Sequence, residues 1–241
     1  MPDSVRGVLL DIEGTTSSIA YVYEVLFPFA RAHLDAFLNE HWETPGTLRA
    51  LNQLARDAGA RSFAAWTSLD DTVTAARRRV RDEVLRLMAD DVKSTGLKEL
   101  QGLIWRVGFE SGTLRSHLFP DVPAALEAWA RRGLDVRIYS SGSVAAQRLF
   151  FAHTERGDFS HLLRGHYDTT LGPKRQASSY RRIAEEMSLP PSEILFLSDV
   201  VPELDAAAEA GLQTGLVIRP RNAPALEGQR HRIVRDFSEL A

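Results

Sequence analysis

The sequence predicts an α/β protein: a parallel sheet covered on both faces by helices, with an all-helical block inserted after the first strand. Three observations carry that prediction. Short apolar runs alternate with helical stretches through the second half of the chain, the pattern of strands buried on both faces. No convincing strand occurs between about Ile19 and about Gly112. The first apolar run, Val5 to Leu10, ends on a carboxylate, Asp11, as suits a sheet whose functional groups collect at the carboxyl ends of its strands.

The elements follow in order. Val5 to Leu10 is a buried strand, short, apolar and non-alternating. Tyr21 to Trp42 reads as helical, with an interruption at Pro28, because proline lacks the donor a helix interior needs. Leu48, Leu51, Leu54 and Ala55 recur at helical spacing, and Gly59 is a stop signal. Val73, Ala76, Val80, Val84, Leu87 and Met88 make an apolar stripe at steps of three and four. Its other face carries Arg77, Arg78, Arg79 and Arg81; with Asp82 and Glu83 four residues after Arg78 and Arg79, a solvated face fits better than an anion site. Leu97, Leu100, Leu103, Ile104 and Val107 mark one more helix.

After Phe119-Pro120-Asp121 the pattern changes. Pro123 to Arg132 is a helix closed by Gly133, and Leu134 to Tyr139 a strand running into Ser140-Ser141-Gly142-Ser143. Val144 to Ala152 is a helix, Leu163 to Tyr167 a weaker strand, and Arg175 to Met187 a helix. Ile194 to Leu197 is a strand ending at Ser198-Asp199, Leu204 to Ala210 an Ala-rich helix stopped by Gly211, and Thr214 to Ile218 a further strand.

Composition narrows the function. The chain has 241 residues, no cysteine and a formal net charge of -3. Disulfides, thiolate zinc sites, iron–sulfur clusters and cysteine nucleophiles are therefore excluded. The weakly acidic balance disfavours a nucleic-acid binder. No apolar run approaches a membrane span or a secretory signal, so a cytoplasmic enzyme is expected. No sustained heptad seam is visible, and a monomer is expected. The seven histidines are scattered without metal spacing. The glycine fingerprint of dinucleotide sites, the Walker loop and the nucleophile elbow are all missing from the sequence.

What collects at the strand ends is specific. Asp11 and Glu13 follow the first strand, Ser140 and Ser141 the second, and Asp199 a later one, while Lys174 lies in a loop before a helix. Carboxylate oxygens suit Mg²⁺, which prefers one or two carboxylates plus phosphate. Small hydroxyls beside a helix N-terminus suit a phosphate, and a lysine adds a point positive charge for the same anion. Each residue alone could be a cap or a surface group; their joint placement at successive strand ends is what points to phosphoryl chemistry.

In these residues the sequence resembles the haloacid dehalogenase superfamily. Asp11-Ile12-Glu13-Gly14-Thr15-Thr16, Ser140-Ser141-Gly142-Ser143, Lys174 and Ser198-Asp199-Val200-Val201-Pro202-Glu203 look like its four ordered motifs. Glu13 stands at the second acidic position of the first motif, where phosphatases commonly carry aspartate. The string from Asp11 to Thr16 resembles the enolase-phosphatase branch, also called acireductone synthase. Leu100 to Trp105, His117 to Val122 and Phe196 to Asp199 agree with it. One departure is Arg219-Pro220-Arg221-Asn222, in a distal loop, where a glycine is expected in place of Arg221.

The resemblance implies a Rossmann-like core over residues 1–18 and 113–241 and a helical cap over 19–112. It implies an Mg²⁺-dependent phosphoric monoester hydrolase that enolises and then dephosphorylates a diketo-methylthiopentyl phosphate, giving an acireductone in methionine salvage. Asp11 is the expected nucleophile and metal ligand. Glu13 would give a backbone carbonyl to the metal and a side chain as acid/base, and Asp199 a third ligand. Glu203 would act from outside the metal shell, Ser140 and Ser141 would hold phosphate, and Lys174 would serve both phosphate and catalysis. The nearest alternative is a phosphatase of the same superfamily acting on another small phosphate ester. A receiver domain phosphorylated on Asp11 would be much shorter and would lack the insertion.

Overall fold

The computed structural model describes residues 4–67, 72–92, 94–222 and 228–240. In chain order, β1 (Gly7–Leu10) leads to a single helical turn, α1 (Ile19–Tyr21), and a π-helical turn, Val22–Leu26. Helices α2 (Phe27–Glu40), α3 (Pro45–Asp57), α4 (Phe63–Trp66), α5 (Val73–Ala89) and α6 (Thr95–Glu110) follow. Then come α7 (Asp121–Arg131), β2 (Asp135–Tyr139), α8 (Val144–Ala152), β3 (Gly165–Tyr167) and α9 (Ala177–Met187). The chain ends with β4 (Ile194–Ser198), α10 (Val201–Glu209), β5 (Gln213–Val217) and β6 (Arg232–Val234). Two compact units result: Met1–Tyr23 with Arg115–Ala241, and Glu24–Leu114.

The first unit is built on a six-stranded sheet of order β3-β2-β1-β4-β5-β6, with every neighbouring pair parallel. This is the doubly wound, Rossmann-like order, in which crossovers leave β1 in opposite directions and open a crevice at the carboxyl ends beside it. Burial explains the sequence pattern. β1 and β4 are buried at every residue, so they read as uninterrupted apolar runs rather than alternating ones. Leu9, Tyr139, Tyr180, Ile183, Phe196 and Leu204 form the centre of one of the packed layers. β6 is an edge strand with two of its three residues exposed, and so polar that no apolar run announces it.

The second unit is all helical among its described residues. Its core joins Leu34 and Leu38 of α2 to Leu51 and Leu54 of α3, Val80 and Val84 of α5, and Leu100 and Ile104 of α6, the last three pairs lying on stripes visible in the sequence. Hydroxyl caps set the helix starts: Thr44, Thr72 and Ser94 each accept an amide from the first turn of α3, α5 and α6, satisfying a donor with no helical partner. Gly96 lets α6 approach α3 closely, because a Cβ there would fall on the Leu54 backbone. Pro28 lies in the first turn of α2 rather than breaking a continuous helix, and the irregularity precedes it as the π turn. The arginine face of α5 is solvated: Arg81 meets Asp35 at 3.0 Å and Asp82 at 3.1 Å, and Arg86 meets Glu83 and Asp90.

Candidate active site

Just past β1 the backbone makes one tight turn. The carbonyl of Ile12 accepts the amides of Thr15, Thr16 and Ser17, and the Thr16 hydroxyl bonds the carbonyls of Asp11 and Ile12 at 3.2 and 3.3 Å. Gly14 sits at φ 72, and a Cβ there would land on the Asp199 carboxylate. A glycine is therefore required twice over, for its dihedral and for the close approach of β4's acidic loop to β1's.

This turn is held from outside by the segment after β5. The Asn222 amide donates to the Gly14 carbonyl at 2.8 Å, and Arg219 Nε to the Thr15 carbonyl at 3.0 Å. Arg219 is buried, pairs with Asp121 at 2.9 Å, and lies 4.6 and 4.7 Å from the ring centroids of Phe119 and Phe237. The loop at Arg221 is thus not distal to the strand ends, as the sequence suggests, but braces the first motif. Arg221 has φ 69, so the position where glycine is expected does adopt the left-handed conformation that glycine takes most readily.

The charged groups converge. Lys174 Nζ lies 2.7 Å from Asp11 Oδ1 and 2.7 Å from Glu203 Oε2. The Ser198 hydroxyl donates to Glu203 Oε2 at 3.2 Å and accepts the Val200 amide. All three charged side chains are about nine-tenths buried. Burial alone would weaken the Lys174 ammonium, but the carboxylates of Asp11 and Glu203 outweigh it and raise its pKa to about 12. Burial, and then the charge on Asp11, push Asp199 up to about 7; the same causes raise Glu203. Three carboxylates thus share one cation, an arrangement short of positive charge.

Ser140 is buried at the end of β2, and Ser141 is exposed beside it. Gln147 of α8 fixes this turn: its amide nitrogen donates to the carbonyls of Gly142 at 2.7 Å and Tyr167 at 2.8 Å, with the Ser140 carbonyl at 3.5 Å. Two of the amides opening α8 are engaged, Val144 by Asp168 and Ala146 by Ser143, and the Ser140 hydroxyl accepts the Gly142 amide at 3.4 Å. Glu13 is half-buried and is bridged through its backbone to Ser17. The structure therefore gathers Asp11, Lys174, Glu203 and Asp199 into one cluster and sets Ser140 and Ser141 at the end of β2, the strand next to β1.

Comparison with known proteins bears on this geometry. Residues 5–211 match the hydrolase family described as haloacid dehalogenase-like hydrolase. The chain belongs to the haloacid dehalogenase-like hydrolases. Within them it is a member of the enolase-phosphatase family. It is 46% identical to the enolase-phosphatase E1 of Pseudomonas syringae, over 97% of this chain and 96% of that one. It is 45% identical to that of Drosophila mojavensis, over 92% and 88%. Among solved structures, the UTR4 protein of Saccharomyces cerevisiae matches with a TM-score of 0.78 at 33% identity, covering 97% of this chain and 98% of the other. CbbY of Rhodobacter sphaeroides, solved with phosphate, shares the fold with a TM-score of 0.57 at 15% identity, over 98% and 96%. For a haloacid dehalogenase-like hydrolase, the buried aspartate at the end of the central strand is the group to explain.

Proposed function

We propose that this enolase-phosphatase uses Mg²⁺ to convert a diketo-methylthiopentyl phosphate to an acireductone, a dihydroxy-keto-methylthiopentene, and inorganic phosphate, in methionine salvage. The observation that carries the chemistry is the 2.7 Å pair between Lys174 and Asp11 Oδ1. It holds the carboxylate in one orientation and leaves Oδ2 to attack phosphorus.

The donor set fits a hard cation. Among the described residues no three His, Cys, Asp or Glu side chains are arranged to hold a metal, yet Mg²⁺ takes only one or two carboxylates and fills its shell with other oxygens. Asp11 and Asp199 would supply those carboxylates and Glu13 its backbone carbonyl, and the excess of negative charge around Lys174 fits a divalent ion. When bound, Mg²⁺ neutralises charge on the phosphoryl oxygens and polarises a substrate carbonyl.

The protein's own steps follow. Glu13 removes the proton next to the substrate carbonyl, leaving the enolate of the phosphate and a protonated Glu13, and the enolate oxygen takes up a proton from solvent to give the enol phosphate. Asp11 Oδ2 then forms a bond to phosphorus as the ester P–O bond breaks, and the departing oxygen takes a proton from Glu13. Water attacks the aspartyl phosphate at phosphorus, releasing phosphate and restoring the carboxylate. Ser140, Ser141 and Lys174 hold the phosphoryl oxygens throughout, and Glu203 keeps Lys174 in place. Residues 19–112 serve as the cap that selects the substrate, between core segments 1–18 and 113–241. We place the enzyme in the cytoplasm as a monomer acting on a small molecule, with no nucleic acid or membrane involved. The net charge of -3 supports the lack of a nucleic-acid partner, and no helix among the described residues is long and apolar enough to cross a membrane.

The substrate is tested by phosphate release from the diketo phosphate and from a panel of sugar phosphates, each with Mg²⁺. A kcat/KM at least about 100-fold higher for the diketo phosphate is expected, because a site built for one polar substrate rejects others by such factors. Equal turnover across the panel would replace this reading with that of a phosphatase for another ester. The order of steps is tested with Asp11→Asn at saturating Mg²⁺. Ultraviolet absorbance of the conjugated enol should rise while phosphate release falls at least about 100-fold.

A further inference from the structure

The segment Leu171 to Lys174 carries the lysine into the site, and its four carbonyls are all bonded by side chains. Arg182 donates to the carbonyl of Leu171. The Tyr139 hydroxyl donates to Gly172 at 2.8 Å, the Ser179 hydroxyl to Pro173 at 2.8 Å, and the Tyr180 hydroxyl to Lys174 at 2.6 Å. This loop lies between β3 and α9 and has no strand partner, so its carbonyls are met by such donors, the Pro173 carbonyl also accepting the Gln176 amide. Gly172 makes the comb possible, since a Cβ there would fall on Ser179 Oγ.

We propose that Tyr139, Ser179 and Tyr180 are positioning residues for Lys174, acting through its backbone to place the ammonium between Asp11 and Glu203. A lysine side chain has four free torsions, and holding its head at two carboxylates requires a fixed base. Tyr180 is fully buried, with its ring packed edge-on to Tyr139 at 5.5 Å and tilted against Phe196 at 5.1 Å. Its hydroxyl therefore has one fixed place, under the Lys174 carbonyl. Tyr139 acts twice: its hydroxyl holds Gly172, and its ring centroid lies 5.7 Å from Lys174 Nζ, within the range where a ring face attracts a cation. Tyr139 also immediately precedes Ser140. One residue thus links the phosphate-binding turn to the lysine loop.

The proposal rests on the reading of Lys174 as a catalytic group, and a double-mutant cycle separates the two. Phosphate release is measured on the diketo phosphate and on p-nitrophenyl phosphate for wild type, Tyr180→Phe, Lys174→Gln and the double variant, with thermal melts to confirm folding. Tyr180→Phe should lower kcat about tenfold or more with KM changed less than about twofold, as expected for misplacement of a group that acts in the transition state. In the Lys174→Gln background the same change should have almost no further effect. Equal fold-losses in both backgrounds would show a merely structural tyrosine and overturn the proposal. So would wild-type kcat for Tyr180→Phe. Wild-type activity in Lys174→Gln would instead overturn the reading of Lys174. If Tyr180→Phe fails to fold, Tyr139→Phe, which removes the hydroxyl from the Gly172 carbonyl and keeps the ring, is put through the same cycle and judged by the same outcomes. Tyr139→Phe should cost less than Tyr139→Leu, since only the latter also removes the ring from beneath the ammonium; equal losses would remove the ring from the proposal.

Discussion

Two charged regions of this molecule look alike in composition and differ in what surrounds them. On α5, Arg77, Arg78, Arg79 and Arg81 stand almost side by side. The pairs made by Arg81 and Arg86 lie at 2.8–3.1 Å, with the arginines 44% and 55% exposed. At the strand ends a single lysine meets two carboxylates at 2.7 Å, and its side chain is 8% exposed. The distances barely differ, so distance does not separate a solvated face from a site. Desolvation does. In water the two members of a pair are nearly as well satisfied apart as together. In the interior each charge depends on its partner, and removing one leaves the other stranded.

That contrast can be tested in order of expected effect. Lys174→Ala should lose at least about 100-fold in kcat, because one positioned charge at a reacting phosphate is worth that much or more. Lys174→Arg should recover only part of it, since a planar fork does not replace a compact ammonium between two carboxylates. Wild-type kinetics for both variants would make the buried pair a structural one.

The next effect concerns the shortage of positive charge. With Asp199 pushed up to about 7 by burial and by Asp11, the folded metal-free protein keeps a proton that the unfolded chain has released above its ordinary value of 3.8. Between those values the native state binds more protons, so this group's contribution to stability falls as pH rises toward 7 and stays low above it. Thermal melts in chelator should show that fall, and Asp199→Asn should flatten it. Adding Mg²⁺ should raise the melting temperature more at pH 8 than at pH 5. An Mg²⁺ shift independent of pH would take Asp199 out of the metal's shell.

Smaller effects lie outside the buried cluster. Arg221→Gly removes the cost of a left-handed residue, about 1 kcal/mol, and adds back part of it as unfolded-state entropy. The melting temperature should rise slightly with kcat unchanged. A clear fall would show that the Arg221 side chain matters more than its backbone. At the bottom of the order, Arg81→Ala on α5 should leave melting temperature and kinetics as they are, despite two ion pairs; a measurable loss would erase the distinction between the two regions.

Much of this was legible in the sequence because burial on both faces leaves a plain mark. β1, β2, β4 and β5 stood out as apolar runs, and the strand-end residues Asp11, Ser140 and Asp199 followed from where those runs stop. Edge strand β6 left no such mark, with one buried residue in three. The π turn at Val22–Leu26 changes the hydrogen-bond step without changing the apolar pattern, so only the proline near it was visible. The supporting residues were hidden for a different reason. Tyr139 and Tyr180 occupy apolar positions of a strand and a helix, and nothing in their spacing says that a hydroxyl at the tip has a carbonyl to meet. Gln147 and Arg219 act across 20 and 204 residues of chain, separations at which periodicity carries no information. The expected glycine at Arg221 was the one sequence signal from the segment that braces the first motif.

The encasement of Lys174 has a consequence for its reactivity toward reagents that acylate amines. Such reagents need the free base, and Asp11 and Glu203 hold Lys174 in its protonated form more firmly than water holds an exposed lysine. Lysines are scarce here, at Lys93, Lys98 and Lys174, and Lys98 is exposed. A brief acylation pulse should therefore label Lys98 at once and spare Lys174 until the core opens. The lysine central to the site then doubles as a chemical clock for unfolding, readable peptide by peptide in a mass spectrometer.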